Sequence, residues 1–187
     1  MLNNRYRLIF PNVLTAINLV LAFGALTTLQ RGISDQVLIL ILIGVVIDGL
    51  DGLVARLFNA TSSFGKQFDT LADLSLFYAV PAMMLYQRTG WLGVLPLLCG
   101  AIRLARFNAV DGSSKPYFEG LPTPMAALLI AGNVLFVSSL LPLIACTVCL
   151  CVLTISAVRF PHPLKSLADR GAPVPIVRFA PRPRPLP

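Results

Sequence analysis

Four aspartates lie inside strongly hydrophobic segments of this sequence, where carboxylates are rare. They make up half of the eight acidic residues of the chain: Asp48, Asp51, Asp69 and Asp73. An ionised carboxylate in a membrane helix costs about 2.5 kcal/mol or more on insertion scales unless another group compensates it. Clustered carboxylates also repel one another, so they share protons, bind organic cations or coordinate hard metal ions through oxygen. Two divalent ions would balance the four charges and would suit phosphoryl-group transfer, so we favour a metal site.

The spacing of the four aspartates places them on two helix faces. Asp48 and Asp51 are three residues apart, and Asp69 and Asp73 are four apart, so each pair lies on one side of its own helix. A short connection joins the two segments, which makes the two helices antiparallel neighbours. We therefore expect the pairs to face one another near one membrane surface.

Residues beside the aspartates suit a substrate that carries phosphate. Gly52 and Gly65 leave room for a diphosphate to approach the backbone, and Arg56 offers a planar guanidinium to a phosphate oxygen. Each feature also has an ordinary explanation, because glycines allow close helix packing and Arg56 suits snorkelling at the membrane edge. Their combination with the aspartates favours the phosphate site.

The composition is that of an integral membrane protein. Of the 187 residues, 56% are hydrophobic and 12% are charged, and the mean hydropathy is +0.79, far from the composition of a soluble domain. As one helix, the charge-free stretch 120–158 would reach roughly 58 Å, about twice the hydrocarbon core, so it must fold back near 139–142. Apolar runs without alternation disfavour a barrel. The pattern predicts an all-α bundle of six transmembrane helices: 9–29, 35–58, 65–86, 90–107, 123–139 and 141–158.

Basic residues give this bundle an orientation. Arg31 and Arg88 fall on one side of the predicted membrane, and the other thirteen lysines and arginines fall on the opposite side. Positive charge near short membrane segments stays cytoplasmic, which predicts that both termini lie in the cytoplasm. The net charge of +7 suits anionic lipid headgroups better than nucleic acid, because the basic residues lie at helix ends and in a tail.

The sequence predicts three parts along the chain. Residues 1–8 suit a short interfacial segment, residues 9–160 a single membrane domain, and residues 161–187, rich in proline and arginine, a disordered cytoplasmic tail. The four cysteines lie in apolar runs, so we expect them to pack rather than to bind metal.

Residues 48–73 carry a longer pattern. They read D-G-L-D-G-L-V-A-R, eight further residues and G-K-Q-F-D-T-L-A-D. This resembles the signature of the CDP-alcohol phosphotransferase family, D-x-x-D-G-x-x-A-R-x8-G-x-x-x-D-x-x-x-D, at every specified position. The resemblance covers about residues 8–160 and implies a six-helix membrane bundle, often a homodimer, with two divalent cations, Mg²⁺ or Mn²⁺. It also implies that Asp48, Asp51 and Asp69 are metal ligands, and that Asp73 acts as general base and as a further ligand.

Three further segments, 11–18, 103–108 and 120–124, resemble the bacterial and archaeal phosphatidylserine synthases within that family. The implied reaction transfers a phosphatidyl group from CDP-diacylglycerol to L-serine and releases CMP. The likeness to bacterial and archaeal enzymes also implies a location in the plasma membrane of a prokaryote. Residues expected to contact the CDP-lipid are Pro11, Asn12, Thr15, Gly52, Ala55, Arg56, Ser62 and Gly65. Residues expected to bind the acceptor or a lipid phosphate are Arg103, Arg106 and Asn108, although either arginine also fits simple anchoring at the membrane surface.

Other functions stay open at this point. The same chemistry would serve another acceptor, such as glycerol 3-phosphate or an inositol phosphate, or an archaeal ether-lipid donor. A cation transporter would also use intramembrane carboxylates. The aspartates all lie toward one membrane surface, however, and the outer halves of the helices offer serine and threonine but no matching acidic residues to continue a path.

Overall fold

The computed structural model describes residues 4–57, 62–109, 117–156 and 159–161, and side chains within 12–54, 62–109 and 120–156. A π-helical segment, Leu74–Ala79, and a 3₁₀ turn, Gly90–Gly93, interrupt the third helical stretch. The seven α-helices of the described chain are α1 Asn4–Leu29, α2 Asp35–Leu57, α3 Ser63–Asp73, α4 Val80–Thr89, α5 Val94–Ala109, α6 Thr123–Phe136 and α7 Leu140–Ile155. Two three-residue strands, β1 Tyr117–Glu119 and β2 Arg159–Pro161, pair antiparallel and join the entry to α6 with the end of α7.

The first two helices form a hairpin, with α1 packed along α2. Gly32 makes the turn between them with φ of +113°, a conformation that other residues rarely adopt. Asp35 lies in the first turn of α2, where a negative charge stabilises the helix dipole. Residues 4–8 of the predicted interfacial segment continue α1, while the tail after residue 161 lies outside the described residues.

The third stretch, Ser63–Ala109, is helical for 47 residues and reverses at the 3₁₀ turn. Gly90 there has φ of +64°, which ends α4, and the chain then returns as α5. A Cβ built on Gly93 would lie 2.5 Å from the backbone nitrogen of Tyr86. Glycine at this position therefore lets the turn fold tightly against α4.

Three helical stretches of the described chain are long and apolar enough to cross a membrane: 12–29, 35–54 and 63–109. Helices α6 and α7 are also apolar, with 14 and 16 residues, or roughly 21 and 24 Å of helix, somewhat less than the hydrocarbon core. The prediction of a helical, apolar bundle is confirmed. The count of six membrane spans stays a prediction.

The π-helical segment lies at the centre of the bundle. Leu76, Phe77 and Tyr78 are almost fully buried there, and small residues of the surrounding helices, such as Ala25 and Ala127, allow close approach. Large apolar side chains on the outer surface are exposed, as expected for helices that face lipid.

The ends of α4 and α6 are tied together by Arg88, one of the two basic residues that the sequence places apart from the rest. Its guanidinium donates hydrogen bonds to the carbonyl oxygens of Val134, Val137 and Ser138, at 2.5–2.7 Å. These are carbonyls at the end of α6, which lack partners within the helix and attract positive charge. Gln87 likewise donates to the Leu29 carbonyl at the end of α1, 2.6 Å away.

Candidate metal centre

Three aspartates meet where α2 faces α3. One carboxylate oxygen from each of Asp48, Asp51 and Asp69 lies within 4.8 Å of the other two. Asp48 and Asp51 lie about one turn apart on α2, and Asp69 lies on α3. The short connection between the helices thus brings carboxylates from two elements to one point, as the spacing predicts.

Asp73 lies at the edge of this cluster. It is the last residue of α3, about one turn beyond Asp69 on the same face. Its carboxyl group lies beside that of Asp48, close enough for the two to share a proton. Asp73 is therefore a neighbour of the three converging carboxylates and lies next to the π-helical segment.

The first helix supplies a third side of the centre. The Thr15 hydroxyl donates a hydrogen bond to Asp51 Oδ2 at 3.2 Å, and both residues are buried. A hydrogen bond from a neighbouring helix fixes the rotation of the carboxylate, which then presents its remaining lone pairs to the cluster. Thr15 therefore orients Asp51 in this structure.

The carboxylate cluster fits a divalent cation. Asp69 Oδ1 and Asp73 Oδ1 are buried, and neither has a hydrogen-bond partner among the described residues. Such an oxygen is destabilised unless a donor or a cation reaches it. Mg²⁺ and Mn²⁺ prefer oxygen ligands, and carboxylates supply them. Asp48, Asp51 and Asp69 are thus the residues that would hold the metal, with Asp73 alongside.

Asn12 of α1 and Ser62 lie close to Gly65 near the start of α3. Ser62 is the N-cap, and its hydroxyl accepts a hydrogen bond from the Gly65 amide at 2.9 Å. A Cβ built on Gly65 would lie 3.0 Å from Ser62 Oγ and 3.1 Å from Asn12 Oδ1. The structure therefore brings together Asn12, Ser62 and Gly65, three of the residues expected to contact the CDP-lipid.

The remaining residues of that group are described less fully. Gly52 directly follows Asp51 on α2 and is half-buried. The side chains of Pro11, Ala55 and Arg56 lie outside the described part of the chain, so their predicted contacts with the CDP-lipid remain predictions.

The three candidates on α5 have different surroundings. Arg106 is exposed and donates to the Ile155 carbonyl at 2.8 Å, which ties α5 to the end of α7. Asn108 donates to the Thr70 hydroxyl at 3.0 Å and so links α5 to α3. Arg103 points instead toward the start of α6, where its guanidinium donates to the Thr123 hydroxyl. Only Arg103 of these three contacts the buried polar region near Asp73.

Two residues of that polar region were not predicted as site residues: Tyr78 and Thr123, although Thr123 belongs to the segment 120–124 that resembles the phosphatidylserine synthases. Tyr78 lies in an apolar run five residues after Asp73, and α-helical spacing of about 100° per residue would turn it well away from that side. The π-helical geometry changes this direction. A buried tyrosine hydroxyl needs a polar partner, which is the one clue that the sequence offered.

Comparison with known proteins agrees with this geometry. The chain matches the CDP-alcohol phosphatidyltransferase family over residues 8–158, a stretch that contains every described residue of the carboxylate cluster. The chain therefore belongs to the CDP-alcohol phosphatidyltransferase family, and the resemblance found in residues 48–73 is confirmed.

Similar proteins within the family come from bacteria and an archaeon. A CDP-diacylglycerol–serine O-phosphatidyltransferase of Helicobacter pylori is 38% identical over 131 residues, covering 65% of this chain and 55% of that protein. A protein of the same name from Bacillus subtilis is 31% identical over 168 residues, covering 85% and 93%. The archaetidylserine synthase of Methanothermobacter thermautotrophicus is 33% identical over 163 residues, covering 81% and 69%. The chain thus spans about half the length of the Helicobacter relative and nearly all of the Bacillus one.

Proposed function

We propose that this chain transfers a phosphatidyl group from CDP-diacylglycerol to L-serine, giving phosphatidylserine and CMP. The observation that carries the proposal is the convergence of Asp48, Asp51 and Asp69 beside Asp73 in a chain of this family. The names of the bacterial relatives support serine as the acceptor. The serine-type segments of the sequence support it as well.

The aspartates have separate tasks in this proposal. Asp73 takes the proton of the serine hydroxyl while the serine oxygen forms a bond to the phosphorus of the phosphatidyl group. The bond from that phosphorus to the bridging diphosphate oxygen breaks, and CMP leaves with the electron pair. Two divalent ions, Mg²⁺ or Mn²⁺, would neutralise the diphosphate and the charge that develops on CMP when held by Asp48, Asp51 and Asp69. Thr15 keeps Asp51 in position for this task.

The neighbouring residues bind the donor. The cluster of Asn12, Ser62 and Gly65 lies at the start of α3, where the helix N-terminus favours a negatively charged group. Together with Gly52, Ala55 and Arg56 it would hold the diphosphate and nucleotide.

The proposal includes a membrane arrangement. Six spans place the aspartates in the cytoplasmic leaflet of a prokaryotic plasma membrane, with both termini in the cytoplasm, and the distribution of basic residues supports this orientation. The resemblance of residues 48–73 to the family signature also implies a homodimer, which we propose for this chain. Helices α6 and α7 are shorter than the hydrocarbon core is thick, so in this arrangement the bilayer thins locally around them.

An ether-lipid donor is a second candidate. The archaetidylserine synthase relative supports it, since the name of that protein indicates an archaeal lipid product. The reaction and the acceptor would be unchanged. The two donors differ in the linkage of their chains to glycerol, which lies away from the reacting phosphorus.

An acceptor panel tests the proposed function. The purified chain in liposomes with CDP-diacylglycerol and Mg²⁺ or Mn²⁺ is expected to release CMP with L-serine, and much less with glycerol 3-phosphate or inositol phosphate. Asp73→Asn is expected to lower kcat by about 10²-fold or more, because a general base contributes about that factor. Asp35→Asn, at the other end of α2, is the matched control and should keep normal turnover. Full activity of Asp73→Asn would contradict the role of Asp73, and release of CMP only with a phosphorylated acceptor would contradict serine.

A further inference from the structure

Two buried hydrogen-bond donors near Asp73 have no acceptor of good geometry among the described residues. The Tyr78 hydroxyl belongs to a side chain that is 1% exposed, and within the described residues it has no hydrogen-bond partner of good geometry. Arg103 Nε is also buried and unpartnered among these residues. An arginine nitrogen only donates, and a buried donor without an acceptor is destabilising. The donor hydrogens of both groups are therefore available to an acceptor from outside this set.

The two donors converge. Arg103 and Thr123 are the polar residues beside the Tyr78 hydroxyl, and Asp73 is a charged group within electrostatic reach of it. Arg103 is held in this direction because its guanidinium also donates to the Thr123 hydroxyl. One guanidinium, one phenol and one threonine hydroxyl thus surround a point next to the residue that would take the acceptor's proton.

Local backbone geometry directs Tyr78 to this point. In an uninterrupted α-helix, a residue five positions after Asp73 lies about 140° around the axis from it. The segment Leu74–Ala79 instead closes i to i+5 hydrogen bonds, which brings residues five apart closer to one side. π-helical turns inside α-helices occur frequently at functional sites.

Gly100 on α5 provides the space for the Tyr78 ring. A Cβ at this position would lie 2.2 Å from Tyr78 Cγ and 2.4–2.5 Å from the two Cδ atoms. These contacts fall on the rigid base of the ring, which is fully enclosed, so any side chain at residue 100 would displace it. Gly100 lies about one helical turn before Arg103, so the same face of α5 seats the ring and supplies the guanidinium.

We infer that Tyr78 and Arg103 bind the carboxylate of the acceptor alcohol, and that Gly100 positions Tyr78 for this contact. The inference rests on the proposed function and names the group of the acceptor that this chain recognises. A carboxylate accepts hydrogen bonds only, so it matches two unpartnered donors. A phosphate dianion would need more cationic partners than the single buried guanidinium at this point. Asp73 lies about one turn of helix before Tyr78, so this contact also directs the acceptor hydroxyl toward Asp73.

Removing only the hydroxyl tests the contact. Tyr78→Phe keeps the ring on Gly100, and we expect the KM for L-serine to rise about 10-fold or more, with little change in the KM for CDP-diacylglycerol. Serinol lacks the carboxylate, so its turnover should be nearly the same in Tyr78→Phe and in the unmodified protein. Tyr86→Phe is the matched control, because that ring is exposed and contacts Trp91. An unchanged KM for L-serine in Tyr78→Phe would overturn the inference.

Gly100→Ala tests the positioning without changing a polar group. We expect the KM for L-serine to rise and the Tm in detergent to fall by several degrees, because the buried ring must move away from the new Cβ. In the Tyr78→Phe background, the same alanine should add much less to the KM, because the contact is already lost. Additive effects of the two substitutions would contradict a positioning role for Gly100.

Failure of the proposed function gives a different pattern. If the unmodified chain releases no CMP with L-serine, the assignment of the acceptor fails. Equilibrium dialysis with labelled L-serine then decides the carboxylate site without turnover. Weaker binding to Tyr78→Phe than to the unmodified protein supports the site, and equal binding, or no binding to either, overturns it.

Discussion

At the scale of single residues, the centre depends on how each carboxylate is held. Asp51 is buried and accepts a hydrogen bond from Thr15, whereas Asp69 and Asp73 each keep a buried oxygen that accepts none within the described residues. Oriented and unpartnered oxygens together form a strong site for a hard cation, because the cation replaces the missing donors. The carboxylates alone would repel one another.

Thr15 should affect metal binding without touching the metal. Thr15→Val removes the hydroxyl and keeps the branched shape, so Asp51 loses the hydrogen bond that comes from the neighbouring helix and is less well fixed in its rotation. We expect the concentration of Mg²⁺ or Mn²⁺ that gives half-maximal CMP release to rise about 10-fold, the lower range for loss of such a supporting contact. Titrating Mg²⁺ or Mn²⁺ into the purified chain while CMP release is followed measures this concentration.

The matched control for this substitution is Thr28→Val. Thr28 lies on the same helix, and its hydroxyl donates to the Gly24 carbonyl of that helix at 2.8 Å. Its metal requirement should remain that of the unmodified chain. Equal metal requirements for Thr15→Val and Thr28→Val would show that the hydrogen bond to Asp51 does not support the site.

Asp69 and Asp73 should differ when each is made neutral. Asp69→Asn removes a converging carboxylate, so more Mg²⁺ or Mn²⁺ should be needed for half-maximal activity. Asp73→Asn should mainly lower kcat at saturating metal, because its assigned task is proton transfer. The two titrations are compared under identical lipid conditions. If Asp73→Asn raised only the metal concentration for half-maximal activity and left kcat unchanged, Asp73 would be a metal ligand and not the base.

At the scale of elements, the sequence predicted the helices better than it predicted the irregular segments that interrupt them. Charge-free length and the turn near residues 139–142 predicted α6 and α7, because hydrocarbon thickness limits helix length. The π-helical segment was not predictable, since no residue type in Leu74–Ala79 marks a π-helix and its geometry depends on packing. The contact between Tyr78 and Gly100 was hidden for the same reason. No local pattern indicates which ring fills the space above a glycine on another helix.

The tight turn between α4 and α5 gives a prediction at this scale. Gly93→Ala would place a Cβ 2.5–2.6 Å from backbone atoms of Tyr86 and Ala82, which cannot move aside as a flexible side chain can. We expect a loss of about 1–3 kcal/mol in the free energy of unfolding, seen as a Tm lower by several degrees in detergent. Gly24→Ala is the control, because a Cβ there meets no atom within 4 Å. Alanine is also the better helix former, so that Tm should be equal or higher. Equal Tm values for the two variants would contradict the packing argument.

At the scale of the whole molecule, one physical constraint made the candidate centre predictable. Carboxylates inside membrane helices are energetically costly and therefore mark functional sites. Two spaced pairs of aspartates on neighbouring helices already indicated that the four carboxylates meet between those helices. The contacts of the supporting residues were less predictable. Thr15 contacts Asp51, and Arg103 contacts Thr123, across helices that are distant in the sequence. The pairing of β1 with β2 is of this kind too, since it joins segments on either side of the α6–α7 hairpin.

The proposed orientation can be tested by labelling single cysteines in a background in which the four natural cysteines are replaced by serine or alanine. Trp91→Cys lies in the turn between α4 and α5, where Trp91 is 82% exposed, and it should react with a membrane-impermeant maleimide added to intact cells. Lys115→Cys lies in the predicted cytoplasmic connection between α5 and α6 and should react only after the cells are opened. Six spans with cytoplasmic termini require these opposite responses, because α5 separates the two positions by one crossing. Labelling of both residues from the same side would contradict the crossing by α5 and, with it, the count of six.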